Sequence, residues 1–358
     1  MNIVYYITSH GFGHAVRSAA ICNCFSPGVK VIFRSALPGN FFNEEINVPF
    51  ENIYARYDCG CIQRDGVTVD VEETLKVYTE IAEQNKMRLS EEVALCKKLN
   101  ANCIVSDITP FAMEIARSLN IPSVAIGNFT WYDIYREYLD SNKWFEPYLR
   151  QIRNQYSMAS LYLSLHPAIK TDYFNTVKQM PVVGRKGVCR KKEIREKFAI
   201  DRKKRLALIY TGNFGLENVM WSRLEQFTNW EFLGVYPLSE RVSNYHLVTK
   251  ELFSYQDLSA SADMIIGKLG YGVLSESLLH AVPLVFIPRT MFSEYPLLES
   301  ESLSSGLGYR MSQEQFNELN WSSALEWAIK SKENKPQPRV SSAQLCAREI
   351  EAVAKTTA

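Results

Sequence analysis

Residues 265–276 read IIGKLGYGVLSE, an apolar run that passes through three glycines into a segment with helical spacing. Glycine lets a backbone approach an anion closely, and the free N–H groups at a helix start stabilise negative charge. The stretch therefore predicts a strand, a phosphate-binding loop and a helix. A tight turn without a ligand is the alternative, and a lone Gly-x-x-Gly-x-Gly leaves the two equally open.

The surroundings of this loop favour phosphate binding. Glu276 lies about one turn into the predicted helix, where its carboxylate can accept hydrogen bonds from ribose hydroxyls. The loop at 288–296 would flank the same pocket, with an ordinary turn before a helix as the less favoured alternative for Glu294. Another loop, at 211–215, follows an apparent strand, where open α/β sheets bind ligands. The residues predicted to line this phosphate-binding pocket are Gly212, Asn213, Lys268, Gly270, Tyr271, Gly272, Ser275, Glu276, Arg289 and Glu294.

A second glycine-rich turn, TSHGFGHAVR at 8–17, holds two of the five histidines and leads from a predicted strand into a helix. His14 could take a proton from a hydroxyl, since an unperturbed imidazole titrates near neutral pH. Asp107 follows another predicted strand and could hold the other ring nitrogen. A structural histidine and a helix-capping aspartate are the alternatives. His14 and Asp107 are the predicted catalytic residues.

Short apolar runs alternate with helical segments along the whole chain, which is typical of parallel sheets covered by helices. The predicted strands are 3–7, 29–34, 103–106, 123–126, 206–210, 231–235, 264–267 and 284–287. Longer helices are predicted at 75–99 and at 131–156, the latter interrupted near Pro147. We expect two doubly wound, Rossmann-like α/β domains facing across a cleft. They comprise residues 1–165 and 166–340, with 341–358 as a helix that packs back toward the first domain.

The composition excludes several classes of protein. With 358 residues, 46% hydrophobic and 22% charged, the chain is typical of globular proteins. A net charge of +1 gives no global electrostatic case for a nucleic-acid or membrane-surface binder. There is no basic leader and no apolar run of the roughly 20 residues that a membrane helix needs, so we expect a soluble, cytoplasmic protein.

The sequence gives little support to a metal site or a disulfide framework. The eight cysteines are expected to be mostly buried and reduced. The pairs Cys22-x-Cys24 and Cys59-x-Cys61 are spaced more tightly than zinc ligands usually are. No Asp-x-Asp motif offers a metal clamp for a diphosphate. We therefore expect no metal and no cofactor.

These motifs together resemble the N-terminal, glycosyltransferase-like region of plant L-arabinokinases and their bacterial stand-alone relatives, and more distantly the GT-B glycosyltransferases. The resemblance runs along most of the chain and rests on residues 6–14, 58–60 with 68–70, 105–107, 128–131 and 267–276. It implies a GT-B fold whose second domain holds a nucleotide sugar, UDP-linked by default. It also implies inverting, metal-independent transfer to an acceptor hydroxyl. The kinase part of arabinokinases would be a separate domain, so kinase activity is not expected.

The resemblance also implies roles for individual residues: His14 as the base, Asp107 as the residue that orients it, and Glu276 and Glu294 as donor ligands. The expected acceptor or cleft residues are His10, Phe12, Gly13, Arg17, Asp58, Asp70, Asn128 and Trp131. Buried turn caps and a packed aromatic would explain Asp58, Asp70, Asn128 and Trp131 nearly as well. Tyr295 stands where many sugar-donor sites have glutamine, which leaves the sugar open.

The acceptor and the activity itself stay open at this point. A small molecule or glycan is the expected acceptor. The basic stretch 185–205, at or just after the expected domain connection, could contact a nucleic acid, but a solvated linker is favoured. The alternatives to a transferase are a noncatalytic nucleotide- or sugar-binding module and a nucleotide-sugar epimerase on the same scaffold.

Overall fold

The computed structural model describes residues 1–63, 68–211, 218–288, 292–334 and 336–356. Within them, a first parallel sheet has the strand order β3-β2-β1-β4-β5-β6-β7. Its strands are β1 Asn2–Ile7, β2 Lys30–Ser35, β3 Phe50–Tyr54, β4 Cys103–Asp107, β5 Ser123–Gly127, β6 Leu161–Leu165 and β7 Val177–Met180.

The helices of this part of the chain are α1 Phe12–Cys22, α2 Gly39–Glu45, α3 Val71–Lys98, α4 Phe111–Leu119, α5 Trp131–Tyr135 and α6 Glu146–Ser157. Short 3-10 turns at Arg136–Tyr138 and Lys143–Phe145 connect α5 to α6. Pro147 stands in the first turn of α6, where its missing N–H costs no helical hydrogen bond. The predicted interruption of this helical segment therefore precedes Pro147.

A second parallel sheet has the order β10-β9-β8-β11-β12-β13. Its strands are β8 Arg205–Tyr210, β9 Trp230–Gly234, β10 Tyr245–Leu247, β11 Met264–Lys268, β12 Leu284–Ile287 and β13 Gly308–Arg310. The helices are α7 Lys191–Lys197, α8 Tyr255–Ser261, α9 Tyr271–His280, α10 Tyr295–Ser304, α11 Gln313–Asn317, α12 Ser322–Glu333 and α13 Ala343–Ala354, with a 3-10 turn at Trp221–Gln226. The prediction of an α/β fold with two parallel, doubly wound sheets is confirmed.

Buried apolar strands at the middle of each sheet fix where the functional loops lie. In the first sheet β1 pairs with β4 so that Ile7 stands opposite Asp107. In the second sheet β11 lies between β8 and β12. In each sheet the parallel strands end at the same edge. The turn at 10–17 follows β1, Asp107 ends β4 and the glycine loop follows β11, so each lies at the carboxyl end of a central strand.

The two halves of the chain are packed against each other. The buried apolar core of the first sheet is continuous with the inner side of the second, where Leu206, Leu269 and Leu274 join it. Helix α1 contacts α9, and it also contacts α13, which returns to the first sheet. Strand β7 extends the first sheet to Met180, beyond the 165/166 boundary predicted from sequence, and the exact division into domains stays a prediction.

Among the described residues, no helix combines the length and the apolar character that a membrane-spanning helix needs.

Gly60 is a position where the fold requires glycine. Its φ of +61° lies in the left-handed region, and a Cβ there would stand 2.3 Å from the Cβ of His10. Gly28 has a φ of +90°, but a Cβ there meets nothing within 4 Å. Alanine substitutions at the two positions therefore distinguish the cost of backbone strain alone from the added cost of a steric clash.

We predict that Gly28→Ala lowers the free energy of unfolding by about 1 kcal/mol through strain alone. Gly60→Ala should cost clearly more, about 3 kcal/mol, because His10 must also move. Urea unfolding of both variants measures the difference. Equal losses would contradict the contact between Gly60 and His10.

Candidate active site

A cleft of about 450 Å³ lies between the two halves. This volume is within the usual range of ligand sites, about 300–1,000 Å³. The predicted site residues that line it are His10, Phe12, Gly13, His14, Arg17, Asn128, Gly270, Tyr271, Gly272, Glu276 and Glu294. The cleft thus brings together the two glycine-rich turns that the sequence places more than 250 residues apart.

His14 and Asp107 are hydrogen-bonded to each other. His14 stands in the first turn of α1, and its Nδ1 lies 2.8 Å from Oδ1 of Asp107 at the end of β4. Asp107 is completely buried, whereas the His14 ring lines the cleft. This arrangement leaves Nε2 of His14 free of the carboxylate, which is the geometry that a general base requires.

The carboxylate of Asp107 also receives three further hydrogen bonds. Arg17 donates from Nε to Oδ2 at 2.7 Å and from Nη2 to Oδ1 at 2.6 Å, and Ser18 donates to Oδ2 at 3.0 Å. Burial by itself would raise the pKa of Asp107, but the charges of Arg17 and His14 outweigh it and lower the pKa to about 2. Asp107 is therefore ionised at neutral pH.

The donor-side turn presents backbone to the cleft. Gly270 is the N-cap residue of α9, and as a glycine it has no side chain to cap the first turn. In the part of the chain that the structure describes, a Cβ built at Gly270 or Gly272 meets nothing within 4 Å. The start of α9 is therefore open to a ligand, and its N–H groups and positive dipole end suit an anion such as a diphosphate.

Glu276 lies behind this turn and is held by two donors. Ser259 donates to it at 2.9 Å, and Arg185 donates from Nη2 at 3.2 Å. Burial raises the pKa of Glu276, an effect that Arg185 opposes. Arg185 also donates from Nη1 to both oxygens of Glu45, at 3.0 and 3.1 Å, at the end of α2. One arginine thus joins a residue of each half at the edge of the cleft.

Arg185 is not among the site residues predicted from the sequence. It begins the basic stretch 185–205, for which a solvated linker is favoured. It is instead largely buried and lines the cleft. The cleft also includes Tyr210 and Tyr255, whose rings stand 4.2 Å apart beside Glu276. Tyr210 ends strand β8, so its place at a carboxyl strand end was the one signal in the sequence.

Glu294 faces the first half across the cleft. Nδ2 of Asn128 donates to Oε2 of Glu294 at 2.7 Å, and Nη1 of Arg17 donates to Oδ1 of the same amide at 2.6 Å. Asn128 follows β5, and Glu294 directly precedes α10. A chain of polar contacts therefore connects the two sides of the site.

Three residues expected in the cleft lie outside its lining. Asp58 is buried and accepts hydrogen bonds from Thr8 at 2.6 Å and Thr109 at 2.7 Å. Asp70 caps α3 by accepting from the N–H of Glu73. Trp131 is buried and stacks on the neighbouring Tyr135 ring. These are the structural roles that the sequence left open as alternatives.

Two predicted donor-side residues also lie outside the lining. The hydroxyl of Ser275 donates back to the carbonyl of Tyr271 within α9. Lys268 ends β11 and is partly buried without lining the cleft. Gly212, Asn213 and Arg289, which were also predicted to bind the donor, lie outside the described residues.

Within the described ranges, no group of three or more His, Cys, Asp or Glu side chains is placed to hold a metal ion.

No family model matches the chain. In solved structures it is similar to a UDP-glucosyltransferase from Polygonum tinctorium, with a TM-score of 0.66 and 12% identity over 99% of both chains. It is also similar to a putative UDP-N-acetylglucosamine 2-epimerase from Listeria monocytogenes, with a TM-score of 0.61 and 14% identity, covering 100% of this chain and 97% of that one. The chain has the GT-B fold, and this prediction is confirmed.

In sequence the chain is similar to L-arabinokinase of Arabidopsis thaliana. The two are 31% identical over 336 residues, which make up 92% of this chain and 32% of the relative. The chain thus spans about one third of the length of this curated relative. The resemblance predicted from the motifs is confirmed.

Asp107 and Asp58 are both buried but have different partners, so their substitutions should cost different amounts of stability. Asp107→Asn should lower the free energy of unfolding at pH 7 by about 3–5 kcal/mol, because it leaves the buried Arg17 charge unpaired. Asp58→Asn should cost only about 1 kcal/mol, because the Thr8 and Thr109 hydroxyls can still pair with an amide.

The pH dependence of the two variants should also differ. The pKa of Asp107 lies below its unfolded value of about 3.9, so its stabilisation is complete above that pH and is lost as the pH falls toward 2. The difference in the free energy of unfolding between wild type and Asp107→Asn should therefore become smaller as the pH falls. Burial raises the pKa of Asp58, so the corresponding difference for Asp58→Asn should not become smaller. Urea unfolding across this pH range measures both, and parallel curves would contradict the assignment.

Proposed function

We propose that the chain is a glycosyltransferase that moves a sugar from a nucleotide-sugar donor, UDP-linked by default, to an acceptor hydroxyl. The observation that carries the proposal is the hydrogen-bonded His14 and Asp107 at the same cleft as the uncapped start of α9. A base and an anion site at one cleft are the two parts that transfer from a nucleotide sugar needs.

On the acceptor side, Nε2 of His14 would take the proton as the acceptor oxygen attacks the anomeric carbon. The imidazolium that forms would be stabilised by Asp107, which lies 2.8 Å from Nδ1 and is ionised. Direct attack opposite the leaving group inverts the anomeric centre. His14 as the base on this side of the cleft suits such a one-step displacement.

On the donor side, the bond between the anomeric carbon and the diphosphate oxygen breaks, and the nucleoside diphosphate leaves with the bonding electrons. The first N–H groups of α9 and its dipole would stabilise the negative charge without a metal ion. Glu276 would accept hydrogen bonds from the ribose, and Glu294 from the sugar. Both carboxylates line the cleft.

The rim of the acceptor side is aromatic. Phe12 is 54% exposed, lines the cleft, and its ring lies 5.5 Å from that of Phe41. Phe12, exposed beside the buried Phe41 ring, can stack on a flat or apolar group. We propose a small-molecule or glycan acceptor rather than a nucleic acid, because the basic residues Lys191 and Lys204 are already paired with Asp263 and Glu231.

A nucleotide-sugar epimerase is the second candidate, because a putative UDP-N-acetylglucosamine 2-epimerase has the same fold. An epimerase would convert the nucleotide sugar into its epimer without an acceptor, and it would transfer no sugar. Mass spectrometry cannot separate epimers by mass alone, so chromatography of the donor after incubation without acceptor distinguishes the two. A noncatalytic binder would neither epimerise nor cleave the nucleotide sugar.

We predict that wild type slowly hydrolyses its donor when water replaces the acceptor, and that His14→Ala lowers this rate by about 10²–10⁴-fold. Binding of the donor should be retained, since His14 acts on the acceptor side. Thermal shift identifies the donor from a panel of nucleotide sugars, and mass spectrometry follows its cleavage.

The matched control is His246→Ala, because His246 is also hydrogen-bonded to a carboxylate, that of Glu231, but stands on β10 outside the cleft lining. This variant should cleave the donor at the wild-type rate. Cleavage that survives His14→Ala would remove His14 as the base, and a wild type that binds no nucleotide sugar would overturn the proposed function.

A further inference from the structure

Arg17 is a charged residue of the cleft with several polar partners. It lies on α1 one helical turn after His14 and is only 3% exposed. Its guanidinium contacts Asp107, Asn128 and His14, and it lies over the Tyr271 ring with its Cζ 5.3 Å from the ring centroid. Tyr271 belongs to the second half, so Arg17 contacts both sides of the cleft.

The guanidinium holds the Asp107 carboxylate in one orientation. Nε and Nη2 donate to the two different oxygens, at 2.7 and 2.6 Å, which is the bidentate geometry of an arginine fork. A carboxylate gripped at both oxygens cannot rotate without breaking two charge-assisted hydrogen bonds. Oδ1 therefore stays directed at Nδ1 of His14.

The same guanidinium determines which ring nitrogen of His14 carries the proton. Nδ1 lies 2.8 Å from Oδ1 of Asp107 and 2.9 Å from Nη2 of Arg17. A carboxylate oxygen only accepts hydrogen bonds, so the short contact between the fixed Oδ1 and Nδ1 favours an Nδ1 that donates its own proton. A neutral imidazole that is protonated at Nδ1 has its free lone pair on Nε2.

The third arm of the fork orients Asn128. Arginine has donors only, so the atom of Asn128 that faces Nη1 must be its carbonyl oxygen, at 2.6 Å. The amide nitrogen then points the other way, where it donates to Glu294 at 2.7 Å. Arg17 thus fixes the partner of Glu294 as well as that of His14.

We propose that Arg17 is a positioning residue that holds His14 in the Nδ1-protonated tautomer and, through Asn128, sets the orientation of Glu294. The meaning of this tautomer for catalysis rests on the proposed function, because it leaves Nε2 as the proton acceptor. The tautomer itself is a property of the resting protein and can be measured without any substrate.

The test is the ¹⁵N NMR spectrum of the full chain labelled at histidine, near pH 8, with the His14 signals assigned by their loss in His14→Gln. Wild type should show a protonated Nδ1 and an unprotonated Nε2. Arg17→Lys keeps the charge but cannot grip both oxygens and Asn128 together. We expect it to shift His14 substantially toward the Nε2-protonated form and to lower kcat for donor cleavage by about 10–100-fold.

The matched control is Arg34→Lys, because Arg34 is likewise a buried arginine paired with a carboxylate, that of Glu92, but stands on β2 outside the cleft lining. It should leave the His14 signals and the donor cleavage unchanged. An unchanged tautomer in Arg17→Lys together with a lower kcat would show a merely structural role and overturn the proposal.

The wild-type spectrum decides the matter even if Arg17→Lys does not fold. An Nε2-protonated His14 in wild type would mean that Nδ1 accepts from Arg17, which overturns the proposal. The outcome is distinct from a failure of the proposed function. A protein that cleaves no nucleotide sugar can still show whether Arg17 sets the tautomer.

Discussion

The buried carboxylate of Asp107 is the interaction on which the site depends. A lone charge in the protein interior is costly, and it is tolerated when it is paired and hydrogen-bonded. Here Arg17 grips both oxygens, and Ser18 and His14 complete the set. The ends of β1 and β4 must therefore lie side by side, and α1 must start where it does, for the carboxylate to be satisfied.

This constraint connects the fold to the proposed chemistry. The polar contacts continue from Arg17 through Asn128 to Glu294, and a separate bridge runs from Glu45 through Arg185 to Glu276. Helices α1 and α9 both begin at the cleft with a glycine as the N-cap residue, so neither N-cap supplies a capping side chain. One start carries the candidate base and the other offers backbone N–H groups to an anion, so an acceptor and a donor can meet between them.

The sequence predicts the centre of this site well because it is encoded locally. His14 and Asp107 follow apolar strands, and parallel strands that end together bring the residues after them together. The glycine turn at 270–272 is likewise a local pattern of strand, loop and helix. Strands such as β3 and β7 were missed because they are short and partly exposed, without the apolar run that marks a central strand.

The rest could not be predicted because it depends on distant partners. Arg185 pairs with carboxylates that lie 140 and 91 residues away, so its sequence neighbourhood shows only a basic stretch. Asp58 and Trp131 belong to motifs on which the predicted resemblance rests, yet a motif does not distinguish a side chain that faces a ligand from one that supports the loop from behind. Burial decides between the two, and burial is set by the tertiary structure.

The most direct test of the account is a calorimetric titration of UDP into wild type and Gly272→Val. Gly272 lines the cleft, and within the described residues a Cβ there meets nothing outside its own helix within 4 Å, so the valine should project to where the diphosphate is proposed to lie and leave the fold intact. The account predicts that wild type binds UDP and that Gly272→Val weakens the binding by about tenfold or more, with unchanged stability to urea. Equal affinities in the two proteins, or no binding by wild type, would contradict a UDP site at the start of α9.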